Sequence, residues 1–591
     1  MVNILLVYPK NPRTFWSYDE ALKIAGKTSM FPPTGLLTIA SMLPKEYSLR
    51  LIDENIDMLR DSDIKWADVI LTSAMGIHKN SLEIIIRRAN ALHRPIMAGG
   101  PLPTQYHDRI KGNATFFLGE AEAGFLDELE SMISEGYKAH RKIIDKHRLF
   151  MPLSQTPVQK FDLLKDTMKH YQVMAVQLTR GCPENCTFCN IGSLYGKSTR
   201  LAEDAKLIAE LDSLYDMGWR GSIMMVDDNV AGNQKALIPI LHKVSDWQKV
   251  HDYPFNFFTQ ASLRIYDNKE LMEAMYQAGF GQVFFGIESP SIESLKFMGA
   301  QKNFQDKGGS GLSITEKLNM IGENYFKTMA GFIIGFDKDP DDIAEMMIKM
   351  IDDTNMSVAM VGPLGILPET SDYARYNNAN RLVKDIMYSG DSGLFTRQLS
   401  YIPNDSNGKE IDPDVVTNRV KKVLEKIYSP SEYFKRTLEF IVHRRRKPLS
   451  KLPVEFSGIV SALRSIYYQG MASDYKNIYW RYLWNVASYS VKDIPDAISY
   501  AAEGHHLIIL TREMMKVDDV NRGIARLIAT TPENHPWLDK GKGYVMHFRQ
   551  RFKELRRSYR EIRNDFKPDV KGLDKLMEKY QAMFKKDRSS A

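Results

Sequence analysis

The chain has 591 residues, too many for a single hydrophobic core, and three or four domains are expected. Its 43% of hydrophobic and 26% of charged residues are ordinary for a water-soluble protein, and a net charge of +6 over this length does not favour nucleic acid as a partner. No apolar run approaches the roughly 18 residues of a membrane-spanning helix, and the first residues do not resemble a secretion signal, so we expect a cytoplasmic protein.

Residues 1–140 alternate apolar strands with helical patterns, which predicts a parallel, doubly wound α/β sheet. Such sheets bind ligands beyond the carboxyl ends of their strands. Three predicted strands end in small or glycine-containing loops there, at Thr72-Ser73, Gly99-Gly100 and Gly119-Glu120. A dinucleotide fold would carry G-x-G-x-x-G after its first strand, but Tyr8 is followed by Pro-Lys-Asn-Pro, so we reject that fold.

All three cysteines of the chain lie in one loop, which follows a polar connector predicted at 141–170 and a short apolar strand from Val173 to Leu178. Cys182, Cys186 and Cys189 form a C-x3-C-x2-C motif, which suits an iron–sulfur cluster or a thiophilic metal. The alternatives are three unrelated core cysteines and a zinc site completed by His170. With no cysteine outside this loop, disulfides are excluded.

The cysteine loop, with the aromatic Phe188 directly before its last cysteine, resembles that of the radical S-adenosylmethionine (SAM) superfamily. The resemblance implies that the three cysteines hold a 4Fe-4S cluster whose fourth iron binds SAM. In that family an electron from the cluster cleaves SAM, and the resulting 5′-deoxyadenosyl radical removes a hydrogen atom from an unreactive carbon. An external electron donor such as a ferredoxin or flavodoxin is therefore implied.

Residues 171–368 are expected to form the partial (β/α)6 barrel of this superfamily, because several apolar strands end in polar or glycine residues. The resemblance implies that four residues at these strand ends, Asp228, Gln260, Ser262 and Glu288, hold the amino acid and ribose of SAM. Gly335 and Phe336 would lie against its adenine. Arg200 would reach the SAM carboxylate, with a solvated arginine as the alternative.

Residues 369–591 are predicted to form a mainly helical substrate or capping domain. Basic and aromatic residues are interleaved at 443–447, 466–484 and 548–557. Such helices can lie on an anionic membrane surface, but they can equally keep their aromatic residues in a helical core and their arginines in water. Peripheral membrane contact is therefore a hypothesis for this region.

The N-terminal region resembles the cobalamin-binding domain that precedes many radical SAM barrels, in the segments 32–37, 98–104 and 119–122. The usual D-x-H-x-x-G motif is absent, and His78 is expected to be a surface or pocket residue rather than a cobalt ligand. The resemblance implies cobalamin contacts at the small and polar residues of these loops, which are Pro33, Thr34, Gly35, Thr72, Ser73, Gly76, Gly99, Gly100, Pro101, Gly119 and Glu120.

The barrel and the region after it resemble the cobalamin-dependent radical SAM group that contains the hopanoid C-2 methylases. No cysteine remains for auxiliary clusters, which disfavours methylthiotransferases and other multi-cluster enzymes. We therefore expect methylation of an unactivated carbon in a hydrophobic, lipid or hopanoid-like substrate. The alternatives are an oxidative cyclase or rearrangement enzyme with the same cofactors, and a cobalamin sensor with a vestigial cluster. The catalytic residues and the substrate itself are not predicted.

Overall fold

The structure is a computed structural model that describes residues 2–136, 141–305, 309–384, 386–387, 399–450, 456–529 and 542–578. The chain divides into two compact units. The first contains nearly all residues up to His506, and the second begins at Leu507. Both parallel sheets described below belong to the first unit.

The first sheet has six parallel strands in the order β2-β1-β3-β4-β5-β6. Its strands are β1 Asn3–Tyr8, β2 Ser48–Asp53, β3 Val69–Ser73, β4 Ile96–Gly99, β5 Thr115–Leu118 and β6 Lys142–Asp145. Its helices are α1 Asp19–Ala25, α2 Thr34–Met42, α3 Asp61–Trp66, α4 Lys79–Ala91, α5 Pro101–Tyr106 and α6 Phe125–Ser134. The edge strand β6 falls among residues predicted to be a connector, because four residues are too few to show a strand pattern.

Both faces of this sheet are buried. Side chains alternate across a strand, so Leu5 and Val7 of β1 pack in one core while Ile4 and Leu6 pack in another. The helices cover both cores, which is why the central strands are apolar throughout rather than alternating. The predicted doubly wound α/β fold is confirmed.

The second sheet is an open parallel barrel. Its order is β14-β13-β12-β11-β10-β7, so that β7 and β14 are its two edges. The strands of this region are β7 Met174–Val176, β8 Thr179–Arg180, β9 Arg200–Leu201, β10 Gly221–Met225, β11 Phe255–Ala261, β12 Phe280–Glu288, β13 Lys327–Ile334 and β14 Val358–Pro363. The short β8 and β9 pair with each other in antiparallel fashion. Six parallel strands confirm the predicted partial barrel.

Helices alternate with the barrel strands and continue beyond them. The barrel helices are α7 Ile191–Leu194, α8 Asp204–Asp216, α9 Gln234–Val250, α10 Lys269–Gln277, α11 Ile292–Phe297, α12 Gln301–Phe304, α13 Ile314–Asn324, α14 Ile343–Asp353 and α15 Ser371–Asn378. The later helices are α16 Pro413–Ile427, α17 Pro430–His443, α18 Phe456–Ser465, α19 Lys476–Tyr489, α20 Ile494–Ala529 and α21 Lys542–Glu561. The predicted helical C-terminal region is confirmed.

Within the described ranges, no helix is both long enough and apolar enough to cross a membrane. Of the aromatic residues for which either a helical core or a membrane contact was predicted, some are buried and others are exposed. Tyr479 and Tyr482 are buried, whereas Tyr467, Trp480 and Trp484 are exposed.

His78 lies in a short turn after β3 and is fully buried, which corrects the expectation of a surface or pocket residue. Its Nδ1 accepts a hydrogen bond from the amide of Met75 at 3.1 Å, and its Nε2 lies 2.6 Å from Oδ1 of Asn11. Burial lowers the pKa of His78 to about 4, so the ring is neutral near pH 7. Both ring nitrogens are occupied, as expected for a residue that does not ligate cobalt.

We expect Gly504→Ala to destabilise the first unit by about 1–3 kcal/mol, because an added methyl group would overlap the buried ring of Tyr433 on α17. Urea denaturation measures the loss. Gly458→Ala on α18 is the matched control, since its added methyl group meets no atom within 4 Å and alanine favours a helix. Equal stability of the two variants would contradict this account of the packing.

We expect His78 to lower the free energy of unfolding as the pH falls from about 7 to 4. In this range His78 of the unfolded chain, with its ordinary pKa near 6.5, binds a proton, whereas His78 of the folded chain stays neutral. Complete protonation of the unfolded state lowers the free energy of unfolding by about 3 kcal/mol. His78→Gln should flatten the pH dependence of urea midpoints. The same change at the exposed His443 should leave the slope as it is in the unmodified chain, and an unchanged slope in His78→Gln would refute the assignment.

Candidate active site

The cysteine loop lies between β8 and α7 and is held at its first residue. Gly181 has a φ of 89°, and a β-carbon there would lie 2.5 Å from the carbonyl oxygen of Ser198, so only glycine fits. The Gly181 amide donates a hydrogen bond to Oδ2 of Asp228 at 2.9 Å. The next amide, of Cys182, donates to the carbonyl of Gly196 at 3.2 Å. The start of the loop is thus fixed against the end of β10.

The three cysteines line one cavity of about 560 Å³, which we call the cluster cavity. Burial raises the pKa of the Cys186 and Cys189 thiols, to about 11 and about 12. Neutral thiols are the stable form without a cation, and a bound metal would reverse this by stabilising the thiolates. Asn229 adds a contact, with its Nδ2 3.9 Å from the Cys182 sulfur.

The cysteine donor set fits an iron–sulfur cluster better than a single ion. Among the residues that the structure describes, no three His, Cys, Asp or Glu side chains are grouped closely enough to hold one metal ion. A cubane takes each thiolate on a separate iron, so its ligands need not converge on a point. His170, the alternative fourth zinc ligand, instead has its Nδ1 3.0 Å from the hydroxyl of Thr28 and does not line the cavity.

The four polar residues predicted at strand ends are brought together around the cluster cavity. Asp228, Gln260, Ser262 and Glu288 all line it, as does Phe188. This follows from the parallel sheet, because its strands point their carboxyl ends to the same edge. Their roles toward SAM stay a prediction, with their positions in its favour.

Glu288 has an unusual backbone conformation and pairs with a lysine that the sequence did not indicate. Its φ of 68° is rare for a residue with a side chain, and its Oε1 lies 3.1 Å from Nζ of Lys302. Both side chains are largely buried and both line the cluster cavity. No periodicity or motif marks Lys302, which comes from α12, outside the strand ends.

Gly335 and Phe336 lie behind the cluster cavity rather than on its wall. Their amides donate to Oδ2 of Asp339, at 2.7 Å and 3.1 Å. The ring of Phe336 packs edge-on against Phe188, with centroids 5.9 Å apart. Phe336 therefore supports the aromatic residue of the cysteine loop, and its contact with adenine stays a prediction.

Arg200 has partners other than the predicted one. Its guanidinium donates to Oε2 of Glu120 at 2.9 Å and to the carbonyl of Tyr195 at 2.8 Å, and it is not among the residues lining the cluster cavity. Beside it, Arg180 pairs with Glu122 at 3.1 Å. We call these four side chains the arginine–glutamate cluster. Its residues are largely buried, and it joins the loop after β5 to β8 and β9, the paired strands before and after the cysteine loop and α7.

A second, larger cavity of about 1630 Å³ opens at the carboxyl ends of the first sheet. Ten of the eleven residues predicted to contact cobalamin line it, which are Pro33, Thr34, Gly35, Thr72, Ser73, Gly99, Gly100, Pro101, Gly119 and Glu120. The exception is Gly76, which begins the short turn after β3. His78 is also outside the lining.

The large cavity fits a bulky ligand with many polar groups. At Gly100, whose φ is 93°, a β-carbon would lie 2.8 Å from the Ser73 hydroxyl, so the backbone itself forms the wall. Several buried oxygens on the wall have no hydrogen-bond partner among the described residues, those of Thr72, Gln159 and Asn256. A ligand that offers donors would satisfy them, and cobalamin carries several side-chain amides.

The two cavities share part of their lining. Asp228 and Gln260 line both, so the cluster cavity and the large cavity adjoin at the ends of β10 and β11. Inside the barrel, Met224 and Val226 face the large cavity, while the alternate Ile223 and Met225 are buried in the core.

Two aromatic residues from the segment between β1 and α2 reach the barrel. The Trp16 ring lies 5.2 Å from that of Phe284, and the Phe31 ring 6.3 Å from that of Phe258. Both residues line the large cavity. Sequence analysis missed them, because this segment has no periodic pattern and its only signal is a high content of aromatic residues.

Comparison with known families assigns the two central regions. Residues 176–351 match the Radical SAM superfamily, and residues 370–519 match a domain of unknown function, DUF4070. The chain is 31% identical to an uncharacterized methyltransferase of Synechocystis over 85% of this chain and 91% of the relative. It is 28% identical to the hopanoid C-2 methylase of Rhodopseudomonas palustris over 86% of this chain and 94% of that protein.

Solved structures show the same fold at low identity. The cobalamin-dependent SAM radical enzyme OxsB, with aqua-cobalamin bound, superposes with a TM-score of 0.54 at 14% identity, over 94% of this chain and 84% of OxsB. The radical SAM methyltransferase TsrM of Kitasatospora setae, with cobalamin and a 4Fe-4S cluster bound, gives 0.52 at 12% identity, over 83% of this chain and 100% of TsrM. The long sequence matches show that the chain belongs to the radical SAM family of the Synechocystis methyltransferase and the hopanoid C-2 methylase, and its fold is that of cobalamin-dependent radical SAM enzymes.

Proposed function

We propose that this protein is a cobalamin-dependent radical SAM methyltransferase that methylates an unactivated carbon of a hydrophobic, lipid or hopanoid-like substrate. The observation that carries the proposal is the pair of adjoining cavities. One is lined by three cysteines and the other by the glycine-rich strand ends of the first sheet, and Asp228 and Gln260 belong to both. The names of the two long sequence matches, a methyltransferase and a methylase, favour methyl transfer over oxidative cyclisation.

The cysteines would hold the 4Fe-4S cluster, and the polar strand ends around them would hold SAM. The loops after β3, β4 and β5 would hold cobalamin. When bound, these groups supply reductive cleavage of SAM and a methyl group. An external ferredoxin or flavodoxin would supply the electron.

The chain's own contribution is placement and exclusion of water. The Asp228 carboxylate accepts the Gly181 amide and thereby ties the cysteine loop to the wall that both cavities share. Apolar side chains such as Met224, Phe258 and Met329 line the barrel part of the large cavity. An apolar wall suits a substrate that has few polar groups to recognise.

We propose a division into a cobalamin-binding domain at 1–140, a linker at 141–170, a radical SAM barrel at 171–368 and a C-terminal substrate or capping domain at 369–591. The barrel sheet falls within its proposed domain, whereas the edge strand β6 extends the first sheet into the proposed linker. The first sheet spans residues 3–145 and the barrel sheet residues 174–363. We also propose that the protein is cytoplasmic and contacts membranes peripherally through its C-terminal region.

We expect Cys186→Ser to abolish cluster assembly, since serine offers no soft thiolate and each of three irons needs one. Iron analysis after anaerobic reconstitution should fall well below the about four irons per chain of the unmodified protein. Asn185→Ala, an exposed neighbour in the same loop, is the matched control and should retain its iron and its absorption band. Full iron content in Cys186→Ser would contradict the cluster assignment.

We expect the reconstituted, reduced protein to form 5′-deoxyadenosine and S-adenosylhomocysteine together with a product heavier by one CH₂ group. Methylation of an unreactive carbon consumes SAM in both ways, once for hydrogen abstraction and once to restore the methyl donor. Mass spectrometry of turnover mixtures measures all three. Deoxyadenosine with an oxidised or ring-closed product and no added mass would instead establish the cyclase or rearrangement alternative.

A further inference from the structure

A stripe of large apolar side chains faces solvent on α18, the π-helical turn Ile466–Met471 and α19. Four of its members recur at every fourth position, which places them on one side of the helix. The α18–α19 stripe consists of Ile459, Leu463, Tyr467, Met471, Trp480 and Trp484. Leu463 and Met471 are each more than 60% exposed, and Trp484 is 74% exposed.

The fold holds this stripe outward. Two polar side chains between the stripe residues point inward, where the Ser465 hydroxyl lies 3.1 Å from that of Tyr479 and accepts a hydrogen bond from Gln469 at 3.0 Å. Trp480 donates from its ring nitrogen to the Gly470 carbonyl at 2.9 Å. Its ring lies so close to Gly470 that any β-carbon there would be 3.0 Å from it.

Basic residues outnumber acidic ones in the segment that carries the stripe. Residues 456–492 contain four basic residues and a single acid, Asp474. The four are all exposed, and they are Arg464, Lys476, Arg481 and Lys492. A surface with apolar and tryptophan side chains among lysines and arginines complements an anionic lipid surface, where the rings enter the interface and the cations meet headgroups.

The stripe borders the large cavity. Ile459 belongs to the stripe and also lines the cavity, together with Ser461, Ala462 and Lys492. The α18 end of the stripe therefore lies at the edge of the large cavity.

We propose that the α18–α19 stripe docks on an anionic lipid bilayer and brings the edge of the large cavity to the membrane, so that an apolar substrate enters without crossing water. The route of the substrate rests on the proposed function. The docking itself depends only on the exposed residues and their charge.

Co-sedimentation of the full chain with vesicles tests the docking. We use phosphatidylcholine vesicles with about 30% phosphatidylglycerol, and pure phosphatidylcholine for comparison. We expect binding to the anionic vesicles that weakens with salt and falls about tenfold or more in the double variant Leu463→Ser, Trp484→Ser. The matched control is Met58→Ser, Val250→Ser, which removes equally exposed apolar residues elsewhere. It should bind as the unmodified chain does.

Circular dichroism and urea midpoints establish that both double variants are folded. Absence of vesicle binding by the unmodified chain, or equal loss in the control, would overturn the proposal. A dimer of the unmodified chain that becomes a monomer only in the stripe variant, measured by light scattering, would also overturn it. A second copy of the chain would then cover the stripe.

Failure of the docking and failure of the proposed function give different results. Leu463 and Trp484 line neither cavity, so the stripe variant should still cleave SAM at the unmodified rate when substrate is supplied in detergent. It should lose turnover only when substrate is supplied in vesicles. If the unmodified chain binds vesicles but makes no methylated product, the docking stands and the methyltransferase assignment fails.

Discussion

The arrangement of this protein depends on the buried arginine–glutamate cluster between the loop after β5 and the cysteine loop. Glu120 and Glu122 come from the first sheet, while Arg180 and Arg200 flank the cysteines on β8 and β9. Charges this far from water are tolerated only when paired, so separating the two loops would leave uncompensated buried ions. The cluster therefore sets the position of the first sheet relative to the cysteines.

That constraint explains why the two cavities adjoin. Both parallel sheets present their carboxyl ends, the ligand-binding edges of such sheets, toward the same region. Gly181 then ties the cysteine loop to Asp228, which faces both cavities. The two cavities can adjoin only because these loops converge.

Much of the candidate site could be predicted from the sequence, because the patterns that indicate it lie within short stretches of the chain. The cysteine spacing and the polar residues directly after apolar strands lie within a few positions of each other, and parallel sheets bring strand ends together by rule. Contacts between distant segments left no such signal. The pairing of Arg200 with Glu120 joins residues 80 positions apart, and neither Lys302 nor Trp16 stands in any motif.

The sequence alone determined the fold class, the cysteine loop, the strand ends around it and the family resemblance, because each rests on periodicity or on short spacing. Tertiary structure decided which partner each charged side chain has, that His78 is buried with both nitrogens bonded, and that Phe336 lies behind Phe188. It also decided which aromatic residues of the C-terminal helices face water. The physical reason is that burial and ion pairing arise from packing between segments far apart in the chain. The residue pattern within one segment does not indicate which distant segments will pack against it.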